Sequence, residues 1–179
     1  FRLDGTDYTA GQDNANEEPF RAALEKLTDG IADGTDSNCL NLFIYGSGGT
    51  AFRYPGLDTP VVVLIYDLGR EAEVREIRLT STYRTNLFVA GYDCYVGQSI
   101  EDLADFFAEE NRVYTSRGNE VKEGAFDPDY SLTEQVTAVD VSDGAARGRY
   151  AAVVVTRPYA TDAGGSNIAR MAEIAVLRT

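Results

Sequence analysis

The chain has 179 residues, a formal charge of −13 at neutral pH, no histidine and no tryptophan. A domain of that length buries roughly two-thirds of its unfolded surface, so neither a disulfide nor a metal is needed merely to build a core. The charge excludes nucleic acid and anionic lipid as partners, since both need a basic footprint, and the lack of histidine excludes Ser-His and Cys-His catalysis. The longest strongly apolar run, Val61 to Tyr66, is strand-sized and far short of a membrane-spanning helix. A start at Phe1 rather than methionine is expected of a processed chain or of a module from a larger protein.

In chain order, the first helical signal is Asn16 to Leu27. Asn16 is a capping residue, Glu17 and Glu18 suit the positive helix start, and Pro19 is tolerated in the first turn. Phe20, Ala23, Leu24 and Leu27 share one face of it. A polar, glycine-rich loop follows from Gly30 to Asn38, and then short strands take over. The first spans Asn41 to Tyr45. Val61 to Tyr66 is β-branched and apolar on both faces, as a central strand is. Val74, Ile77 and Leu79 alternate with Glu76, Arg78 and Thr80, the pattern of a half-buried strand.

Further strands are expected at Tyr92–Val96, Arg112–Thr115, Gln135–Val141, Tyr150–Thr156 and Met171–Leu177. Between Val96 and Arg112 one helical turn is expected, capped by Ser99, with Leu103, Phe106 and Phe107 as its apolar face. Turn residues separate the strands at Asp67-Leu68-Gly69, Arg117-Gly118-Asn119, Asp143-Gly144 and Gly164-Gly165. Many short strands with glycine-rich turns and minor helices argue an all-β, antiparallel sandwich in a single domain. Cys39 and Cys94 are too few for a disulfide scaffold and wrongly spaced for zinc; they are buried free thiols or one bridge.

Six phrases then follow one another in a characteristic order: Leu27-Thr28-Asp29-Gly30, Ile65-Tyr66-Asp67-Leu68-Gly69, Val74 to Leu79, Tyr92 to Ser99, Gly148 to Val155, and Ala172 to Leu177. From about Leu24 to Leu177 the chain resembles the discoidin or coagulation-factor type C family, and most of all its bacterial carbohydrate-binding modules. The resemblance implies a galactose-binding-like jelly roll, non-catalytic and extracellular, set beside other domains of a parent protein.

It also implies a structural calcium ion between the first loop and the last strand. Carboxylates and turned-in carbonyls are the hard oxygen donors that calcium takes. By position, Lys26 and Ile31 would offer backbone oxygens, Asp29 a carboxylate and Thr35 its hydroxyl or carbonyl, with Ala172 and Glu173 closing the shell. The loop is about one residue longer than the family's, so Ile31, Ala32 and Asp33 compete for the middle position.

The family binds sugar on loops at one end of the sandwich. Sugar recognition needs an aromatic platform and planar polar groups for hydroxyl pairs. The candidates are Tyr45, Phe52, Arg53 and Tyr54 in one loop, Tyr83 and Arg84 in a second, and Tyr159 and Asn167 in a third. Tyr45 and Phe52 serve equally as core residues, and Arg84 as the partner of a surface acid. The expected partner is a glycan or polysaccharide. A protein-binding, adhesive module of a bacterial surface assembly is the alternative, because the usual tryptophan and histidine of such sites are missing. The paired acids Glu17-Glu18 and Glu109-Glu110 read as surface charge rather than as the separated carboxylates of a glycosidase.

Overall fold

The computed structural model describes residues 27–30, 40–43, 62–81, 89, 91–117, 135–140, 146–157 and 168–179. Within them the strands are β1 (Leu40–Phe43), β2 (Val62–Ser81), β3 (Gly91–Gly97), β4 (Arg112–Thr115), β5 (Gln135–Asp140), β6 (Ala146–Arg157) and β7 (Ile168–Arg178). A single helical turn, α1 (Leu103–Phe106), and a 3-10 turn at Glu109–Asn111 lie between β3 and β4. All pairings are antiparallel, in the order β1-β7-β2-β6-β3-β4, with β5 also on β2. The expected all-β sandwich with short helices is therefore what forms. The helix expected at Asn16–Leu27 lies outside the described residues except for Leu27, which is buried.

The two layers are joined through β2. Val74 pairs with Arg178 of β7 and with Ala146 of β6, so β6 and β7 occupy opposite edges of β2. From Glu76 to Ser81 the same strand lies between β7 and β5. The first half of β2 thus belongs with β6, β3 and β4, and the second half with β7, β1 and β5. Their inner faces meet in one core: Val62 and Leu64 from the first half, Ile77 and Leu79 from the second. Tyr92, Cys94 and Val96 of β3, Ala151, Val153 and Val155 of β6, and Met171 and Ile174 of β7 complete it.

Reading the sequence predicts two strands on either side of Asp67-Leu68-Gly69. The structure makes one strand with a wide bulge instead. Asp67 pairs with Tyr150 and Ala72 with Gly148, so Leu68, Gly69, Arg70 and Glu71 oppose Arg149 alone. Gly69 takes a left-handed backbone at φ 76°, and its N–H donates to Asp67 Oδ1 at 2.7 Å. Local turn chemistry is present, but β6 continues across it and absorbs the turn as a bulge. Arg149 closes the bulge with a two-pronged bond to Asp67, Nε to Oδ1 at 2.9 Å and Nη2 to Oδ2 at 2.7 Å. Arg147 and Glu71 form a second ion pair beside it.

The outer face of β2, β6 and β3 is also apolar, carrying Val63, Tyr95, Ala152 and Val154. The α1 segment covers it. Phe107 meets Tyr95 edge-on with ring centres 5.1 Å apart, and Phe106 meets Phe107 at 5.0 Å. Full burial of each ring contributes about 1.5–3 kcal/mol. The cap of α1 is Asp102, whose carboxylate accepts from Ala104 N at 2.9 Å. The expected cap, Ser99, accepts instead from Glu101 N at 3.2 Å in a local turn one step earlier. Asn111 closes the other end by donating to the carbonyls of Asp105 and Phe106.

Packing is tightest where β3 ends. A Cβ on Gly148 would stand 2.5 Å from the carbonyl oxygen of Gly97, whereas one on Gly69 would meet nothing within 4 Å. Gly148→Ala is expected to lose about 3 kcal/mol in chemical denaturation, the upper end of overpacking costs. Gly69→Ala should lose about 1 kcal/mol, through its backbone angle alone. Equal losses would show that backbone contact is not the constraint at Gly148.

Arg149 and the N–H of Gly69 together hold the Asp67 carboxyl down at about 2, from an ordinary 3.8. Its folded pKa lies below its unfolded one, so the bond stabilises fully above the unfolded value and is lost as pH falls through the folded one. Carboxyl NMR should place the Asp67 midpoint near 2. In Arg149→Ala the midpoint should move up toward the ordinary value.

Candidate functional site

Two places on this frame gather polar groups with chemical potential. The first is where the beginning of the described chain meets β7. Gly30 takes a left-handed backbone at φ 81° and its N–H donates to Glu173 Oε2 at 3.2 Å. Glu173 retains only 9 % of its surface, although its side chain is charged. Burial raises its pKa, the Gly30 N–H partly opposes that, and the nearby Asp29 carboxylate adds to the rise. Glu173 in turn acts on Tyr66, whose hydroxyl is pushed up by burial first and by this charge second.

The β7 register is irregular at the same point. Thr80 pairs with Glu173 and Ser81 with Met171, so Ala172 faces no β2 residue, while the β1 ladder ends at Leu40 opposite Met171. A bulge of this kind takes a backbone carbonyl off the ladder. Of the residues expected as calcium ligands, Asp29 lies near Glu173, and Ala172 precedes Glu173 in β7; Lys26, Ile31 and Thr35 lie outside the described residues. Among the described residues no three carboxylate, thiol or imidazole groups converge as a metal cluster.

The second place is a strand-end rim. Val62 pairs with Val155, Gly91 with Arg157 and Asp93 with Thr115, so β2 and β3 begin where β6 and β4 end. The three segments named for sugar binding attach here at their C-terminal or N-terminal ends: 44–61 before β2, 82–90 before β3 and 158–167 after β6. Tyr45, Phe52, Arg53, Tyr54, Tyr83, Arg84, Tyr159 and Asn167 themselves lie outside the described residues.

At this rim a polar knot ties β3 to β4. Asp93 is fully buried; its Oδ1 accepts from Thr115 Oγ1 at 2.7 Å, and Arg117 Nη2 lies 3.3 Å from Oδ2. Tyr92 N donates to Ser116 Oγ at 2.8 Å, Ser116 N to Tyr92 O at 3.0 Å, and Arg117 N to Thr115 Oγ1 at 3.2 Å. Sequence reading overlooked the Asp93–Arg117 pair. The signal was available: a carboxylate inside Tyr92-Asp93-Cys94-Tyr95, a strand apolar on both faces, requires a partner.

Cys94 is a buried free thiol, and burial first and the Asp93 charge second push its pKa up; Cys39 lies outside the described residues. It is a core residue rather than a nucleophile. Glu109 and Glu110 are exposed, and Glu109 bonds Arg112 at 2.7 Å, as surface charge does. Among the described residues no helix is long and apolar enough to cross a membrane.

No family model and no curated protein matches the chain. Solved structures do. A fucolectin from striped bass (Morone saxatilis) serum aligns with a TM-score of 0.51 at 14% identity, covering 84% of this chain and 40% of the fucolectin. A fucose-binding module from Streptococcus pneumoniae aligns at TM-score 0.46 and 11% identity, over 85% of this chain and 82% of the module. A family 32 carbohydrate-binding module from Clostridium perfringens NanJ, solved with galactose, aligns at 0.41 and 16%, over 80% and 96%. This chain spans well under two-thirds of the fucolectin's length. The fold is the galactose-binding-like β-sandwich, mostly antiparallel sheet with few helices.

Proposed function

We propose that this chain is a non-catalytic carbohydrate-binding module that works outside the cell and holds one structural calcium ion. The observation that carries the reading is the fold it shares with the fucolectin over 84% of its length. The strand-end rim supports it further, because the three aromatic-bearing segments, two of them with an arginine, attach to adjoining strand ends. A glycan is the partner, with no role for nucleic acid or anionic lipid at a charge of −13.

The calcium ion would be held by the Asp29 and Glu173 carboxylates and the Ala172 carbonyl, with Lys26, Ile31 and Thr35 completing the shell. Its chemistry is electrostatic: it would satisfy a carboxylate that is otherwise costly to bury. It would also tie the first loop to β7, two parts of the chain 143 residues apart.

An array of neutral and acidic glycans tests the main reading. At least one glycan is expected to bind, and Arg84→Ala or Tyr159→Ala should weaken that binding without moving the melting temperature. A folded protein that binds no glycan and captures a protein from its own surface assembly would instead be an adhesive module.

Calcium is tested separately by melting. At a concentration about a hundredfold above Kd, the ion should raise the melting temperature by about 5–10 °C over chelated protein. Glu173→Gln should abolish that shift. Coincident melting curves for chelated and calcium-loaded wild type would refute the ion site.

A further inference from the structure

We infer that Asp29-Gly30 is a site of self-modification, an aspartyl-glycyl pair that converts to isoaspartate, and that Glu173 is the positioning residue that holds the reaction back. The inference depends neither on glycan binding nor on a bound ion.

The reaction needs only the chain and water. The Gly30 amide nitrogen attacks Asp29 Cγ and a new C–N bond forms. The nitrogen's proton and the carboxyl hydroxyl leave together as water, which closes a succinimide ring. A second water then opens the ring by breaking one of its two C–N bonds. Opening at Cγ restores aspartate; opening at the backbone carbonyl gives isoaspartate, whose main chain runs on through Cβ and Cγ.

Three observations place the reaction here. Among the described residues, Asp29 is the aspartate followed by glycine; Asp67, Asp93, Asp102, Asp105 and Asp140 precede larger side chains that shield the attacking nitrogen. Asp29 and Gly30 are both exposed, in a bend outside the strand ladders. A Cβ on Gly30 would meet nothing within 4 Å, so the space beside it is open to water.

The restraint is the bond from Gly30 N–H to Glu173 Oε2, 3.2 Å long. Its acceptor is well fixed, because Glu173 is almost buried and lies in β7 opposite Thr80. On the other side Leu27 is anchored in the core, so the bend over 28–30 is held at both ends. Attack requires the Gly30 peptide to turn its face toward Cγ and the nitrogen to give up its proton. The bond to Glu173 opposes both.

The product cannot restore that bond. Isoaspartate adds one atom to the main chain, which carries Gly30 N–H away from Glu173 and leaves an almost buried carboxylate without this donor, a costly state. Conversion therefore cuts a tie between residues 143 positions apart.

The test incubates the full chain with a chelator at neutral pH and physiological temperature, both folded and in urea. Isoaspartate at position 29 is then measured by peptide chromatography and electron-transfer mass spectrometry. A hydrogen bond to a charged acceptor keeps the open form rare, so folded wild type should convert about tenfold or more slowly than the chain in urea. Folded Glu173→Ala should convert about tenfold or more faster than folded wild type. Glu173→Gln retains a carbonyl acceptor and should stay near wild type, a rescue that separates the bond from the charge. Asp29→Glu, which cannot close the small ring, should give no product at this position. The purified isoaspartyl form should melt below the untreated protein.

Folded wild type that converts as fast as the chain in urea would overturn the restraint, and a lack of product in urea would refute the reactive pair. Both comparisons use wild type alone, so they decide the matter even if Glu173→Ala does not fold. Folded Glu173→Ala at the wild-type rate would remove Glu173 from the account. Slower conversion in both Glu173 variants would make the carboxylate a base for the reaction, the opposite of a restraint. An isoaspartyl form that melts with the untreated protein would refute the loss of the tie.

Discussion

Because β2 is hydrogen-bonded to three other strands over its twenty residues, it cannot be assigned to either layer of the sandwich. Its first half is apolar on both faces and lies between the inner core and the α1 cover. Its second half alternates and turns its charged side chains to water. The change of character falls at the bulge, where four residues oppose one and the Asp67–Arg149 bond clamps the irregularity to β6. The directions of β6, β7 and β5, and through β6 of β3, follow from that one bent strand.

Electrostatics divides along the same line. On the surface, arginine and carboxylate pairs are open to water and contribute little each, since solvent screens them. Among the described residues, buried carboxylates occur at two points, each where separate parts of the chain are tied together. Glu173 lies where Gly30 reaches β7, and Asp93 where β3 joins β4 at the rim. Buried charge is costly, so its appearance at these two junctions makes them the chemically distinctive parts of an otherwise apolar sandwich.

Much of this was legible in the sequence. The alternation from Val74 to Leu79 and the mixed apolar run from Val61 to Tyr66 gave two strand types correctly, because side-chain period reports directly on how many faces are buried. Phe106 and Phe107 announced a covering segment. The join between the two β2 strands was not legible: Asp67-Leu68-Gly69 carries real turn chemistry, and only the long-range pairing with β6 turns it into a bulge. The cap moved from Ser99 to Asp102 for a similar reason, since both can accept from a nearby N–H and packing of the two phenylalanines fixes where the helical turn begins. The nearness of Asp29 to Glu173 was expected from the order of phrases along the chain. The Asp93–Arg117 pair was not legible, because it joins residues 24 positions apart that meet only when β3 and β4 pair.

Cys94 lies in the middle of β3, completely buried, its thiol pushed up and thus protonated at neutral pH. In the native state it presents no nucleophile to an alkylating reagent. Its modification must wait for the sandwich to come apart, so the labelling rate of its peptide, followed by mass spectrometry, is a built-in clock for how often the core opens.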